Sequence, residues 1–433
     1  MATYFGKLIA AVLLPASAFA QTPNYSFSKT RNTNKQLAAV AIRPPATATS
    51  TITGKWKGIF HIRENADAPF LFEITGDPAG RQRIYFINAE ERFYGGELLS
   101  SNDSVHIALD QFDNEMVLLP AGNSLKGFLR KQDGSGTTLL FDAVKGNLPR
   151  FPVTNADPAA NISGTYDITF KNEKGNDEKA VGLFKQEGNK LKATFLRITG
   201  DSRYLDGIVD GNRFYLSTFI GSGPGYYTGN INKDGSLTGA ILYARGETVF
   251  TGFPNEEAHL PDAYTLTYLK DGYNSLNFSL PDIMGKPVSL QDTKYRNKVV
   301  LVTITGSWCP NCIDEAAFLA PWYRKNKNRG VEIISIHYER KTDTAYARKV
   351  MTRFKERFGI EYDQVFAGLA DKQHVAESLP ALNTFLSFPT TIFIDRQGKV
   401  IKIHTGFSGP ATGRYYDDFI KEFTAGTDAL LKQ

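Results

Sequence analysis

The sequence predicts a multidomain protein in which two related β-rich modules, each a small antiparallel barrel or sandwich, precede an α/β domain. The length of 433 residues exceeds one ordinary domain. Residues 51–253 alternate short runs of strand-forming side chains with Gly, Asn and Asp. After residue 274, β-branched runs alternate with helical patterns. These textures differ enough to indicate separate folding units.

The composition is that of a globular protein, with 42% hydrophobic, 22% charged and 12% aromatic residues. It excludes a disordered or collagen-like chain. The net charge of +5 reflects a small surplus of 50 basic over 45 acidic side chains, and these do not form long blocks of one sign. A nucleic-acid partner is therefore not predicted.

The first 20 residues have the pattern of a secretory signal peptide. Lys7 precedes a short apolar run at 8–14, and small residues lead to a cleavage site after Ala20. The run is far shorter than the roughly 20 apolar residues of a membrane-spanning helix. The alternative is an N-terminal helix of the folded protein. The pattern favours a soluble, periplasmic or otherwise extracytoplasmic protein, with a polar, flexible leader at 21–50.

The β-region divides into a first module at 51–146 and a second at 161–253. Asp-Gly pairs at 133–134, 210–211 and 234–235 lie between apolar runs, as in β-hairpins. The two modules also resemble each other at offsets of 110, 111 and 112 residues: 52–56 matches 162–166, 92–96 matches 203–207, and 124–127 matches 236–239. This order favours an internal repeat, and the alternative is coincidence among Gly-centred strand ends.

Proline-containing linkers are expected at 147–161 and 254–273, before an α/β domain at 274–433. Its predicted elements are strands at 299–304 and 331–336, helices at 309–327 and 344–358, a short helix at 379–386, a hairpin at 391–403 and a last helix at 415–431.

The two cysteines of the chain, Cys309 and Cys312, lie where a predicted strand gives way to a helix. Unpaired N–H groups at a helix start stabilise a thiolate at Cys309. Cys312 lies three residues on, on the same helical face, and can reach Cys309. A thiolate at Cys309, expected to be exposed, can attack a partner disulfide, and Cys312 can then resolve the mixed disulfide.

Three other interpretations of this pair are weaker. A zinc site needs two further ligands, but there is no second CxxC and the six histidines include no pair at zinc-ligand spacing. A structural disulfide would close a very short loop and stabilise little. A peroxidase would carry Pro and Thr or Ser where Val302 and Gly306 stand. Redox exchange without a metal or cofactor is preferred.

The surrounding residues resemble the thioredoxin superfamily. The resemblance rests on residues 299–312, which end in Trp308-Cys309-Pro310-Asn311-Cys312, and on Phe388-Pro389-Thr390-Thr391. The lead-in at 278–290 and the signal peptide are more similar to the TlpA-like branch of extracytoplasmic thiol–disulfide oxidoreductases. The resemblance covers about 276–433, a little more than a third of the chain, and does not include the β-modules.

The resemblance implies roles for individual residues. Trp308 shields the disulfide and offers an apolar contact surface. Phe388 and Pro389 belong to the partner-binding loop, with Pro389 as a cis-proline facing the cysteines. The alternative for Pro389 is an ordinary trans proline before a strand.

The resemblance also singles out Glu315, because TlpA-like proteins often carry a buried acid three residues after the second cysteine. Glu315 then faces Cys312 and can accept its proton. The alternative is a solvated helix carboxylate like its neighbour Asp314. Thr303 stands where thioredoxin has a buried aspartate, which leaves the proton acceptor open. His337 ends a predicted strand and borders the site or, more commonly for such a residue, is structural.

The function expected from these residues is an exported reductase of protein disulfides, recharged by a membrane electron donor. The direction of disulfide exchange depends on the reduction potential of the Cys309–Cys312 pair. The alternative is a binding protein in which the β-modules hold a ligand or partner and the redox domain is an appendage. The aromatic segment at 221–227 is either a partner-contact loop or a long hairpin turn.

Overall fold

The computed structural model describes residues 52–153, 157–171 and 175–433. The predicted signal peptide at 1–20 and leader at 21–50 lie outside these ranges. Within them, no helix combines the length and the apolar character needed to cross a membrane.

The first β-module is a closed antiparallel barrel of eight strands. Because β1 pairs with both β2 and β8, the sheet has no free edge. Inward positions alternate with outward ones, and the interior is filled by large side chains such as Trp56, Phe60 and Phe86. The strands are β1 (Gly54–Arg63), β2 (Ala66–Gly76), β3 (Gln82–Asn88), β4 (Glu91–Ser101), β5 (Ser104–Leu109), β6 (Asn114–Ala121), β7 (Ser124–Lys131) and β8 (Leu139–Lys145).

The second β-module is also an eight-stranded antiparallel barrel, with one additional two-residue strand, β12. The barrel closes because β10 pairs with β11 while β17 returns to β9. Phe170, Phe195 and Phe214 fill its interior. The strands are β9 (Gly164–Lys171), β10 (Asp177–Glu187), β11 (Lys190–Arg197), β12 (Gly200–Asp201), β13 (Leu205–Asp210), β14 (Arg213–Thr218), β15 (Gly225–Ile231), β16 (Leu237–Leu242) and β17 (Glu247–Pro254).

The predicted repeat is confirmed by the two barrels, and close packing explains why glycines mark it. A Cβ at Gly127 would lie 2.3 Å from the ring of Phe141, which is on the next strand. A Cβ at Gly239, its counterpart, would lie 2.5 Å from the ring of Phe250. In each barrel an aromatic ring therefore needs the space that only glycine leaves.

The loop between β14 and β15 enters the first barrel. Phe219 packs its ring against Phe60 and Phe86, with centroid distances of 4.8 and 4.6 Å. Asn88 Nδ2 donates to the Phe219 carbonyl at 3.0 Å, and Asn114 Nδ2 donates to the Gly221 carbonyl at 2.7 Å. The segment predicted as a partner loop or hairpin turn is thus a hairpin connection whose start is buried within the same chain.

The α/β domain contains a five-stranded sheet in the order β22-β21-β20-β23-β24, in which β20, β21 and β22 are parallel. Every residue of the central β20 is buried, because apolar side chains of other elements cover both faces of the sheet. The elements are β18 (Ser279–Pro281), β19 (Pro287–Ser289), β20 (Val299–Thr305), α1 (Pro310–Asn326), β21 (Val331–Glu339), α2 (Thr344–Phe358), β22 (Asp363–Leu369), α3 (Lys372–Ser378), β23 (Thr390–Ile394), β24 (Val400–Thr405) and α4 (Arg414–Leu431).

The short helix predicted at 379–386 is wrong, because α3 ends at Ser378. Pro380 follows two residues later and cannot donate the backbone hydrogen bond that a helix requires. The segment bonds elsewhere instead: Lys270 N–H donates to the Ala381 carbonyl at 2.8 Å, and Asn383 N–H donates to the Tyr268 carbonyl at 2.9 Å. The predicted linker at 254–273 therefore packs against the α/β domain.

Candidate active site

The two cysteines lie at the junction between β20 and α1. Cys309 is the N-cap of α1, and its Sγ accepts the N–H of Cys312 at 3.4 Å. Pro310 occupies the first helical turn, where its missing N–H would have no partner. Both cysteines are thiols. The helix start thus presents a polarised N–H to the sulfur that is expected to react.

The expected exposure of Cys309 is wrong, since only 5% of the residue is accessible and Cys312 is fully buried. The cause is the loop before β23. The Cys309 thiol donates to the Phe388 carbonyl at an S···O distance of 3.6 Å. The loop that carries Phe388 therefore lies over the sulfur.

The three predicted partner-binding residues lie together around Cys309. Trp308 Nε1 donates to the Tyr338 carbonyl at 2.9 Å, and the Trp308 ring meets Phe388 edge-on with centroids 5.4 Å apart. The Phe388–Pro389 peptide bond is cis, as the resemblance implies. Trp308 and Phe388 are half-buried, so part of each residue remains accessible, whereas Pro389 is buried.

Glu315 is 3% exposed, so the alternative of a solvated helix carboxylate is wrong. Thr391 Oγ1 donates to Glu315 Oε1 at 2.6 Å. Burial raises the pKa of Glu315 to about 8, and the Thr391 hydrogen bond opposes this rise. Thr391 pairs across the sheet with Thr303, the position that thioredoxin fills with an aspartate. The acid at this site is thus carried by the helix.

The pKa of Cys312 depends on its burial and on the neighbouring groups Cys309 and Glu315. Burial raises its pKa well above the ordinary value, and a hydrogen bond and the charge of Cys309 add to the rise. The Glu315 carboxylate raises it further. Ionisation of Cys312 therefore becomes easier when a nearby group takes up its proton.

The C-terminal region is similar to proteins of known family. Residues 272–403 match the model of the AhpC/TSA family. The thiol-disulfide oxidoreductase ResA of Geobacillus kaustophilus is 31% identical over 166 residues, which cover 38% of this chain and 82% of that protein. The ResA of Bacillus cereus is 28% identical over 188 residues, covering 43% and 91%. Through its C-terminal domain, the chain belongs to the ResA-like thiol–disulfide oxidoreductases.

Solved structures also match this ResA-like domain. A thiol-disulfide oxidoreductase from Bacteroides fragilis is 22% identical, with a TM-score of 0.26, and the match covers 34% of this chain and 99% of that one.

A buried polar network that sequence reasoning missed holds the active-site loop of the ResA-like domain. The Glu339 carboxylate accepts the Ser307 N–H at 3.0 Å and the Ser307 Oγ–H at 2.7 Å. His337 Nδ1 lies 3.1 Å from the same carboxylate, and both side chains are fully buried. Strand alternation places 337 and 339 on one face, but nothing local identifies Ser307 as their partner. His337 is thus part of the support beneath the loop.

The loop at 406–409 completes the surroundings of the site. Gly406 N–H donates to the Pro389 carbonyl at 2.9 Å. His404 is buried, and burial lowers its pKa to about 4. Within the ranges that the structure describes, no group of three or more His, Cys, Asp and Glu side chains is placed to hold a metal ion.

Proposed function

We propose that this protein is an exported thiol–disulfide oxidoreductase that reduces protein disulfides through Cys309 and Cys312. The observation that carries the proposal is the Cys309 sulfur at the start of α1, in hydrogen-bond contact with the N–H of Cys312. The family supports the same reaction class, since its members are named thiol-disulfide oxidoreductases.

In the first step, the Cys309 thiolate attacks one sulfur of the partner disulfide. The partner S–S bond breaks, a mixed disulfide forms, and the departing partner sulfur leaves as a thiolate that takes a proton from water. Trp308, Phe388 and Pro389 form the contact surface for the partner chain. The half-buried rings of Trp308 and Phe388 are suited to a partner segment with apolar flanks, whereas Pro389 is buried and supports the loop.

In the second step, Cys312 gives its proton to the Glu315 carboxylate and attacks the Cys309 sulfur. The mixed disulfide breaks, and the second partner sulfur leaves as a thiolate. Two electrons have then passed to the partner, and the protein holds a Cys309–Cys312 disulfide. A pKa of about 8 for Glu315 supports this role, because a group with a pKa close to the working pH accepts and returns protons well.

The reduced state is restored by a dithiol on a membrane electron donor outside the cytoplasm. Protein disulfides are abundant there, and a reductase needs electrons supplied across the membrane. The direction of electron transfer is tested by measuring the reduction potential of the full-length protein after equilibration with glutathione buffers. A reduction potential near that of thioredoxin, about −270 mV, is expected for a reductase, whereas one near about −120 mV contradicts the direction.

The chemistry is tested by trapping with Cys312→Ser. This variant should accumulate mixed disulfides with its substrates, because nothing resolves them, and Cys309→Ser should accumulate none. Disulfide exchange that survives in Cys309→Ser contradicts the proposed mechanism.

The alternative function is that the β-modules bind a ligand. The filled interiors of the two barrels argue against a ligand site inside either barrel. Rings such as Phe60 and Phe141 in the first barrel and Phe195 and Phe250 in the second fill the inward positions. A contribution of the modules to recognition therefore comes from their surfaces and loops.

A further inference from the structure

A hairpin of the second barrel reaches the redox site. Its tip, residues 198–203, follows β11 and includes β12. Ser387 lies directly before the Phe388–Pro389 pair and donates its Oγ–H to the Thr199 carbonyl at 2.8 Å. A Cβ at Gly406 would lie 2.7 Å from the Ile198 carbonyl oxygen. The tip therefore contacts both loops that flank the cis-proline.

The same tip contacts Asn311, one of the two residues between the cysteines. Asn311 Nδ2 donates to the Asp201 carbonyl at 3.3 Å, and Gly409 N–H donates to Asp201 Oδ2 at 2.6 Å. A Cβ at Gly200 would lie 2.6 Å from the Asn311 side chain. The barrel and the active-site helix are thus in direct contact, with no room for a partner chain between them.

A buried ion cluster fixes the tip in place. Arg203 is 8% exposed and pairs with Asp314 of α1 and Glu91 of the first barrel. Its Nη1 also donates to the Pro310 carbonyl at 3.0 Å. Removing one partner from a buried ion pair leaves an uncompensated charge, so withdrawal of the tip is costly. The tip is therefore a fixed part of the site.

We propose that residues 198–203 are the specificity-determining wall of the active site. They close one side of the approach to Cys309, and the accessible apolar edges of Trp308 and Phe388 remain beside it. The partner that fits is a disulfide on an extended, unfolded segment with apolar flanks. A disulfide held in the surface of a folded domain is disfavoured, because the domain meets the wall. This inference rests on the proposed disulfide exchange at Cys309.

The test weakens the contact between the wall and the Gly409 loop with Asp201→Ala in the full-length protein, which leaves the Arg203 ion cluster in place. Asp201 Oδ1 accepts the Arg203 N–H at 2.6 Å, so the substitution removes a turn contact as well as the Gly409 bond. The value of kcat/KM is measured for two substrates: a disulfide-linked pair of short linear peptides, and folded insulin. The wild type should prefer the peptide pair, and the ratio of kcat/KM for insulin to kcat/KM for the peptide pair should rise about threefold or more in Asp201→Ala.

Asp234→Ala is the matched control. Asp234 Oδ1 accepts the Ser236 N–H at 3.0 Å in another hairpin of the same barrel, the one between β15 and β16. This variant loses an equivalent turn contact and should keep the wild-type preference. Ser387→Ala removes the Oγ contacts with the Thr199 carbonyl at 2.8 Å and the Phe388 carbonyl at 3.1 Å. It should shift the ratio of insulin to peptide turnover in the same direction as Asp201→Ala and provides the measurement if Asp201→Ala does not fold.

If the ratio of kcat/KM for insulin to kcat/KM for the peptide pair is unchanged in the folded Asp201→Ala or Ser387→Ala variant, the proposed role of residues 198–203 is contradicted. A wild type that reduces insulin as well as it reduces the peptide pair contradicts that role too. Failure of the wild type to reduce either substrate contradicts the proposed function itself, so the two failures are distinguishable.

Discussion

Thr391 donates its hydroxyl to the buried carboxylate of Glu315 at 2.6 Å, one helical turn from Cys312. A carboxyl group in this position has lost its hydration and retains one donor that favours its charged form. Its pKa of about 8 leaves it largely protonated at neutral pH and increasingly ionised above it. The protonation state of Glu315 is therefore expected to control the step in which Cys312 acts.

Glu315→Gln should slow resolution of the mixed disulfide by about 100-fold, because a positioned proton acceptor commonly contributes at least this factor. The wild-type rate should rise with pH through about 8, and the variant should lack that rise. Rapid mixing with a chromogenic disulfide separates release of the first partner thiol from that of the second. Glu377→Gln, at an exposed position of α3, is the control and should match the wild type. An unchanged second step in Glu315→Gln excludes it as the acceptor.

The stability of the reduced protein should also depend on Glu315. Its pKa is raised from 4.5 to about 8 on folding, so the folded state holds a proton that the unfolded state has lost. Stability should therefore fall by about 1.4 kcal/mol per pH unit between these values relative to Glu315→Gln. Urea unfolding of both proteins from pH 5 to pH 8 measures the difference. A difference that does not vary with pH contradicts the raised pKa.

Ser307→Ala should destabilise the protein by about 1–3 kcal/mol, because it leaves the buried Glu339 carboxylate without one of its donors. The loss should be accompanied by slower exchange, since Ser307 is two residues before Cys309. Urea unfolding and turnover of a small disulfide measure the two effects. Ser100→Ala, on an exposed part of β4, should change neither. Full stability in Ser307→Ala would show that this network does not support the loop.

Phe219→Ala should lower the free energy of unfolding by about 3–5 kcal/mol, because Phe219 is 1% exposed and its ring packs inside the first barrel. Its loss should weaken the coupling between the barrels and broaden or split the thermal unfolding transition. Phe253→Ala, whose ring is 58% exposed, is the matched control and should change stability by less than about 0.5 kcal/mol. Equal effects of the two substitutions would contradict the insertion of Phe219.

Local patterns predicted most of the elements of the fold. Helix α2 occupies Thr344–Phe358, where helical periodicity placed it, because an apolar face at that spacing is buried in almost any α/β context. The prediction of a helix at 379–386 failed because the apolar residues of this segment are buried without forming a helix. Periodicity cannot distinguish a buried helix from a buried irregular segment over so few residues. The prediction that Cys309 is exposed failed for another reason. The residue that covers Cys309 is Phe388, which lies 79 residues away along the chain.

The sequence by itself determined the reaction class and predicted the cysteine pair as its site. Two cysteines three residues apart at a helix start are a local arrangement, and helical geometry alone brings Cys312 to Cys309. It also determined two similar barrels, because the glycines that admit aromatic rings recur along the chain. Only the tertiary structure decided that Glu315 is buried, that Phe219 enters the other barrel, and that Asp201 and Arg203 lie against the active-site helix. These contacts join residues some 76 to 159 positions apart, and burial and charge pairing over such separations leave no periodic signal in the sequence.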